Sequence, residues 1–145
     1  MIGNILVLCV GNICRSPMAE GLLKRALPEQ TVRSAGIGAM IGYPADPFAI
    51  QLMQGQDIDI SAHRGQSLMS WMVSEADIIL VMDLDQKRFI EQKHPTSKGK
   101  VFRLGEFDKY DIPDPYQRDL AVFRQTYSLI SKGVDALTER LAYIN

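Results

Sequence analysis

The sequence predicts a doubly wound α/β sandwich, on three observations. Ile5-Leu6-Val7-Leu8 and Ile78-Ile79-Leu80-Val81 are continuous aliphatic runs without alternation, the pattern of parallel strands covered on both faces. Two further apolar segments, around 32–35 and at Val101-Phe102-Arg103-Leu104, complete a set of four strands. Helical patterns with capping signals separate the four, and strand alternating with helix marks α/β architecture.

Taken in order, the first strand ends at Cys9. Ser16-Pro17 reads as an N-cap followed by proline at the first helical position, and predicts a helix to about Leu27, before Pro28. The second strand follows at 32–35. Asp46-Pro47 repeats the cap-then-proline signal for a helix through Met53, with Gly55 as its stop. A helix at 66–74 leads into the third strand, one at 84–92 into the fourth, and a long one spans 118–142. In the last, Leu120, Phe123, Tyr127, Ile130, Val134, Leu137 and Leu141 recur at three- and four-residue steps, the spacing of a core-facing stripe. The length of 145 residues suits one domain, 1–145, and no repeat, low-complexity segment or linker divides it.

Composition narrows the function. Apolar residues make up 46% and charged residues 23%, an ordinary globular balance. A net charge of -1 with interspersed signs argues against nucleic acid as partner. The apolar opening ends at Val10 with no basic residue before it, too short for a spanning helix, so a cytoplasmic protein without membrane insertion is expected. Cys9 and Cys14 are the only cysteines, which fits chemistry better than a disulfide scaffold.

Ligands of doubly wound folds bind at the carboxyl ends of the strands, and the first strand runs there into CVGNICRS, Cys9 to Ser16. Taken alone, Cys9 would read as a small hydrophobe closing a strand. The rest of the string says otherwise. Gly11 and Asn12 suit a tight turn, and the phosphate-binding set expected here runs from Val10 through Gly11, Asn12, Ile13 and Cys14 to Ser16, with backbone N–H groups converging as an anion nest. The helix that follows adds unpaired N–H groups and the positive end of its dipole. Arg15 brings a planar fork for two oxygens of one phosphoryl group. A cysteine in such a loop is expected as a thiolate, with Ser16 donating to the sulfur and stabilising it as a leaving group. It then stands in line for attack on phosphorus, giving a cysteinyl-phosphate that water hydrolyses. No Gly-Lys-Ser/Thr follows, so this is not a Walker loop, and the cysteine spacing is not that of a Cys-x-x-Cys redox motif.

The leaving oxygen needs a proton. DIPDPYQ, Asp111 to Gln117, is a proline-stiffened acidic turn after the fourth strand, able to return to the edge that carries Cys9. Either Asp114 or Asp111 would serve as general acid and then as base for water. Tyr116 is a candidate aromatic wall against a flat substrate ring.

At these residues, CVGNICRSPMAEGLL, SAGIGA and DIPDPY, the sequence resembles the low-molecular-weight protein tyrosine phosphatases over essentially the whole chain. The resemblance implies a four-stranded parallel sheet with helices on both faces and no metal or organic cofactor. It implies Cys9 as nucleophile, Arg15 as phosphoryl clamp and Asp114, directly before Pro115, as the acid, with Asp111 supporting. It places Asn12, Ser16, Ser34 and His63 as residues that hold the loop in shape by hydrogen bonds. It is closer still to bacterial members encoded with capsule and exopolysaccharide export, whose partner is a tyrosine kinase with a tyrosine-rich tail. The expected protein is a monomer acting on such a phosphotyrosine protein. The family often sets a bulky aromatic on the pocket wall near Met40, whereas here the stretch is aliphatic up to Tyr43. Animal members carry two adjacent tyrosines in the acid loop, but here Gln117 follows Tyr116, so regulation through such a pair is not expected.

Cys14 lies inside the loop, within reach of Cys9 for a reversible disulfide that would protect the nucleophile from over-oxidation. An inert thiol packed behind the loop is the alternative. Three rival activities stand against this reading. Arsenate reduction on this fold needs further thiols downstream, and no cysteine follows Cys14. Arginine phosphatases of the family tend to carry threonine where Ile13 stands, and an apolar residue there suits an aromatic ring better than a guanidinium. A binding module without turnover would be expected to lack the thiol, the arginine or the acid. Phosphoserine and phosphothreonine are expected to be poor substrates: their side chains are shorter, and an alkoxide leaves less readily than a phenolate, tyrosine's pKa being about 10.

Overall fold

The computed structural model describes residues 2–144. Its order is β1 (Asn4–Cys9), α1 (Arg15–Ala26), β2 (Thr31–Gly36), α2 (Pro47–Gln54), α3 (Ser70–Glu75), β3 (Ile78–Val81), α4 (Leu84–Lys93), β4 (Val101–Arg103) and α5 (Leu120–Ile144), with short 3-10 turns at Pro95–Ser97 and Glu106–Asp108. The four strands are parallel in the order β2-β1-β3-β4. The chain steps from β1 to β2 on one side and returns to β3 on the other. The carboxyl ends of β1 and β3 therefore flank the switch point where such sheets bind ligands.

Both faces of the sheet are covered, which is why β1 does not alternate. Ile5, Val7 and Cys9 enter the core beneath α1, α2 and α5, while Leu6 and Leu8 enter the core beneath α3 and α4. On the first face Met18, Leu22 and Leu23 of α1 meet Phe123, Ile130, Val134, Leu137 and Leu141 of α5, the stripe expected from their spacing. Phe48 packs edge-on against Phe123, ring centres 5.3 Å apart. Asp46 caps α2 through Phe48 N–H at 2.9 Å, and Pro47 opens that helix.

The structure departs from expectation at three helix ends. α1 begins at Arg15 after Cys14, with no side-chain cap, because the Ser16 hydroxyl is held by Cys9 and Asn12 instead. The helix expected at 66–74 begins only at Ser70. The preceding residues are extended along the end of β2, where Gly36 N–H donates to Gln66 C=O (2.8 Å) and Leu68 N–H to Gly36 C=O (3.0 Å). After α2, Gly55 stays in the right-handed region, and the reversal is made by Asp57 at φ 59°. Among the described residues no helix is long and apolar enough to cross a membrane.

Candidate active site

The turn after β1 is built around Asn12, a non-glycine residue in the left-handed region at φ 59°. Its side chain is fully buried and explains the conformation. Nδ2 donates to Ser16 Oγ (2.7 Å) and Ser34 Oγ (3.0 Å), and Oδ1 accepts from Gln66 N–H (2.9 Å). The backbone is used as well. Asn12 N–H donates to Cys9 Sγ at 3.3 Å, and His63 Nε2 donates to Asn12 C=O at 2.6 Å. The loop is thus fixed from inside, and its backbone curls over the Cys9 sulfur. Ser16 Oγ lies 3.0 Å from that sulfur, so two polar groups converge on it.

Glu20 closes the network. It accepts from Ser34 Oγ at 2.6 Å and faces His63 Nδ1 at 3.9 Å. Sequence reasoning missed Glu20, although it stands one helical turn after Ser16, a spacing that puts both on one face of α1.

Arg15 is 3% exposed. Its Nη1 donates to Ile112 C=O at 2.8 Å and lies 4.0 Å from Asp83 Oδ2, while Nη2 lies 3.7 Å from Asp114 Oδ2. Its Nε is buried and has no partner among the described residues. Asp83, just past β3, also went unpredicted. Its signal is its place at the carboxyl end of a central strand, where it caps α4 through Gln86 N–H at 2.8 Å and sets one oxygen towards the guanidinium.

Cys9, Val10, Gly11, Ile13, Cys14, Arg15, Met40, Asp114 and Tyr116 all line one cavity of about 200 Å³, together with Gly38. Met40 is brought there by a run of backbone bonds beside the loop: Ile37 N–H to Cys9 C=O, Gly38 N–H to Val10 C=O and Met40 N–H to Gly11 C=O, each 3.0 Å. Glycine is required next to this run, since a Cβ on Gly65 would overlap the Met40 carbonyl oxygen. Asn12 and Ser16, expected among the phosphate-binding residues, line no part of the cavity. With Ser34 and His63 they form the support behind it. Asp111 is outside the cavity too: its carboxylate is bound to Arg103 at 3.1 Å, which leaves Asp114 as the carboxylate of the DIPDPY turn that reaches the pocket.

The two cysteines, both buried and free, differ in setting. Burial pushes the Cys14 thiol up from its ordinary value, and the neighbouring Asp46 carboxylate adds to the shift, so Cys14 stays a neutral thiol. Among the described residues no group of three or more His, Cys, Asp or Glu side chains is placed to hold a metal ion.

Known proteins resemble the chain over nearly its whole length. Residues 4–143 match the model of the family described as low molecular weight phosphotyrosine protein phosphatase. A protein of Ralstonia nicotianae named probable low molecular weight protein-tyrosine-phosphatase EpsP is 54% identical over 141 residues, covering 97% of each chain. Among solved structures, the tyrosine phosphatase Wzb from Escherichia coli K30 in complex with sulphate superposes with a TM-score of 0.93 at 35% identity, over 97% of this chain and 99% of that one. The YwlE arginine phosphatase from Geobacillus stearothermophilus superposes with a TM-score of 0.91 at 33% identity, over 97% and 94%.

Proposed function

The chain belongs to the low molecular weight phosphotyrosine protein phosphatase family, and from that premise we propose that it hydrolyses phosphotyrosine in proteins through a cysteinyl-phosphate. The observation that carries the reading is the pairing of a buried sulfur with a buried guanidinium on one cavity. Cys9 Sγ receives Asn12 N–H and lies against Ser16 Oγ, and Arg15 is anchored by Ile112 C=O with its Nε free to bind. A phosphoryl dianion fits between them, held by Arg15 and the loop N–H groups.

Cys9 attacks phosphorus and the bond to the phenolic oxygen breaks. Asp114 gives its proton to that oxygen. Water then attacks the cysteinyl-phosphate, Asp114 takes its proton, and Cys9 leaves as thiolate, stabilised by Ser16 and the Asn12 N–H. Arg15 holds the equatorial oxygens through both transfers. Ile13, Met40 and Tyr116 are the apolar walls that accept an aromatic ring.

The physiological substrate is a tyrosine kinase of polysaccharide export, on the cytoplasmic side. The resemblance to bacterial members encoded with polysaccharide export supports this, and the relatives EpsP and Wzb are tyrosine phosphatases by name. One experiment tests the activity: phosphate release under reductant from matched peptides carrying phosphotyrosine, phosphoserine or phosphoarginine, with Cys9→Ser alongside. Tyrosine-only release, abolished in Cys9→Ser, is expected. Release from phosphoarginine alone would replace the reading with that of the YwlE neighbour, and no release at all would leave a binding module.

A further inference from the structure

β4 ends on a charged residue where an apolar one would be cheaper to bury. Arg103 is 9% exposed and has two carboxylate partners. Nη1 donates to Asp111 Oδ1 at 3.1 Å. Nε and Nη2 address the two oxygens of Glu106 at 3.4 and 3.3 Å. A guanidinium buried at the end of a strand is seldom the most stabilising choice against a hydrophobic side chain of similar volume. What it adds is geometry, because a guanidinium held by two carboxylates has one orientation.

That geometry is applied at the root of the DIPDPY turn. Asp111 is its first residue. The next, Ile112, donates its N–H to Met82 C=O at 2.8 Å and gives its C=O to Arg15 Nη1 at 2.8 Å. Beyond Ile112 the turn has little freedom: Pro113 and Pro115 fix φ on both sides of Asp114, and Tyr116 N–H holds Asp114 Oδ1 at 3.1 Å. A stiff turn carries its carboxyl wherever its root is fastened. The root has two fastenings, the backbone of Ile112 and the side chain of Asp111, and among the described residues it is Arg103 that provides the second.

We propose that Arg103 is a positioning residue for the general acid: by holding Asp111 against Glu106 it sets where Asp114 stands relative to the leaving oxygen. This rests on Asp114 acting as the acid, and the test separates the two. Glu106 is held below its ordinary value, first by its hydrogen bond to Arg103, so this half of the clamp stays an ion pair at neutral pH.

The experiment reads kcat/KM, which covers the steps through departure of the phenol, for a series of aryl phosphates from p-nitrophenyl phosphate to phenyl phosphate. A misplaced acid is felt where the leaving group is basic. For Arg103→Leu we expect p-nitrophenyl phosphate to change by less than about threefold and phenyl phosphate to fall about tenfold, a fraction of the roughly 10²–10⁴ that general acid catalysis supplies. Arg103→Lys should recover part of the loss. Asp111→Asn, at a half-exposed side chain, approaches the same contact from the other end and should show the same trend should Arg103→Leu not fold. In an Asp114→Asn background, Arg103→Leu should cost phenyl phosphate little more. An equal fall for every substrate, or a lower Tm with an unchanged leaving-group dependence, would overturn the proposal. A flat dependence in Asp114→Asn itself would overturn the role of Asp114 instead.

Discussion

Asn12→Ala tests the claim that the loop is held from inside. The substitution deletes three side-chain hydrogen bonds, to Ser16, Ser34 and Gln66. At about 1 kcal/mol net for each, that is roughly 3 kcal/mol. It also leaves alanine at φ 59°, where an ordinary L-residue loses about 1 kcal/mol that asparagine largely escapes. The sum is about 4 kcal/mol, a large part of the roughly 5–15 kcal/mol that holds a domain folded. For a chain of this length it corresponds to a fall in Tm of about 10–15 °C.

Asn12→Gly separates the terms. Glycine loses the same three bonds but adopts positive φ freely, so it should fall by about 3 kcal/mol. Chemical denaturation of the three proteins measures both differences, and kcat/KM on p-nitrophenyl phosphate should drop more than about tenfold in each variant, because the N–H that faces Cys9 belongs to the same residue. An alanine variant within about 1 kcal/mol of the native protein would refute the reasoning, since the network would then not be what fixes the turn. Glycine and alanine falling equally would remove the backbone part of the argument.

Three further outcomes follow from the same geometry. Gly65→Ala forces a Cβ onto the Met40 carbonyl; the shift of the wall should cost about 1–3 kcal/mol, read as a lower Tm, and should raise KM for aryl phosphates. Cys14 has its folded value raised above the unfolded one, so its contribution is complete below the ordinary thiol value of 9.0 and is lost as pH rises beyond it, by about 1.4 kcal/mol per pH unit; melting from pH 8 to 11 should show a steeper alkaline decline in the native protein than in Cys14→Ser, and parallel curves would contradict it. Ile41 is 69% exposed and follows the cavity residue Met40 in the sequence, and we expect it to meet residues flanking a phosphotyrosine; Ile41→Asp should then lower kcat/KM on peptides with apolar flanks about fivefold, near 1 kcal/mol of lost burial, and leave p-nitrophenyl phosphate unchanged.

The strands were legible because a sheet covered on both faces demands unbroken aliphatic runs, and Ile5–Leu8 and Ile78–Val81 are such runs. α5 was legible because its stripe keeps helical spacing over many turns. The start of α3 was not. Residues 66–68 are drawn out along β2 by backbone bonds to Gly36, a partner some thirty positions away that no local window contains. The Ser16 cap failed for a related reason. The residue type is right for a helix start, but its hydroxyl satisfies a sulfur and an amide before it can turn to its own helix.

The same division runs through the site. Cys9 to Arg15 could be read as chemistry because anion binding by a loop and a helix N-terminus is local, and each residue type there has one electrostatic use. Glu20, Asp83 and Arg103 act by distance in space: Glu20 reaches Ser34 from another element, Asp83 faces Arg15 from the turn after β3, and Arg103 holds Asp111 across a turn. A charged residue at the end of a strand or on the face of a helix is common, and nothing in its neighbours tells which carboxylate or guanidinium it will meet. Their importance also differs in kind. Residues that touch the phosphoryl group must be one of few chemical types, so they stand out in a sequence. Residues that hold those in place need only the right charge at the right point, and many sequences supply that by different routes. Arg103 is therefore the test of this distinction in the present protein: it is invisible to motif reading, absent from the cavity that Asp114 lines, and joined to the turn of Asp114 through a single carboxylate.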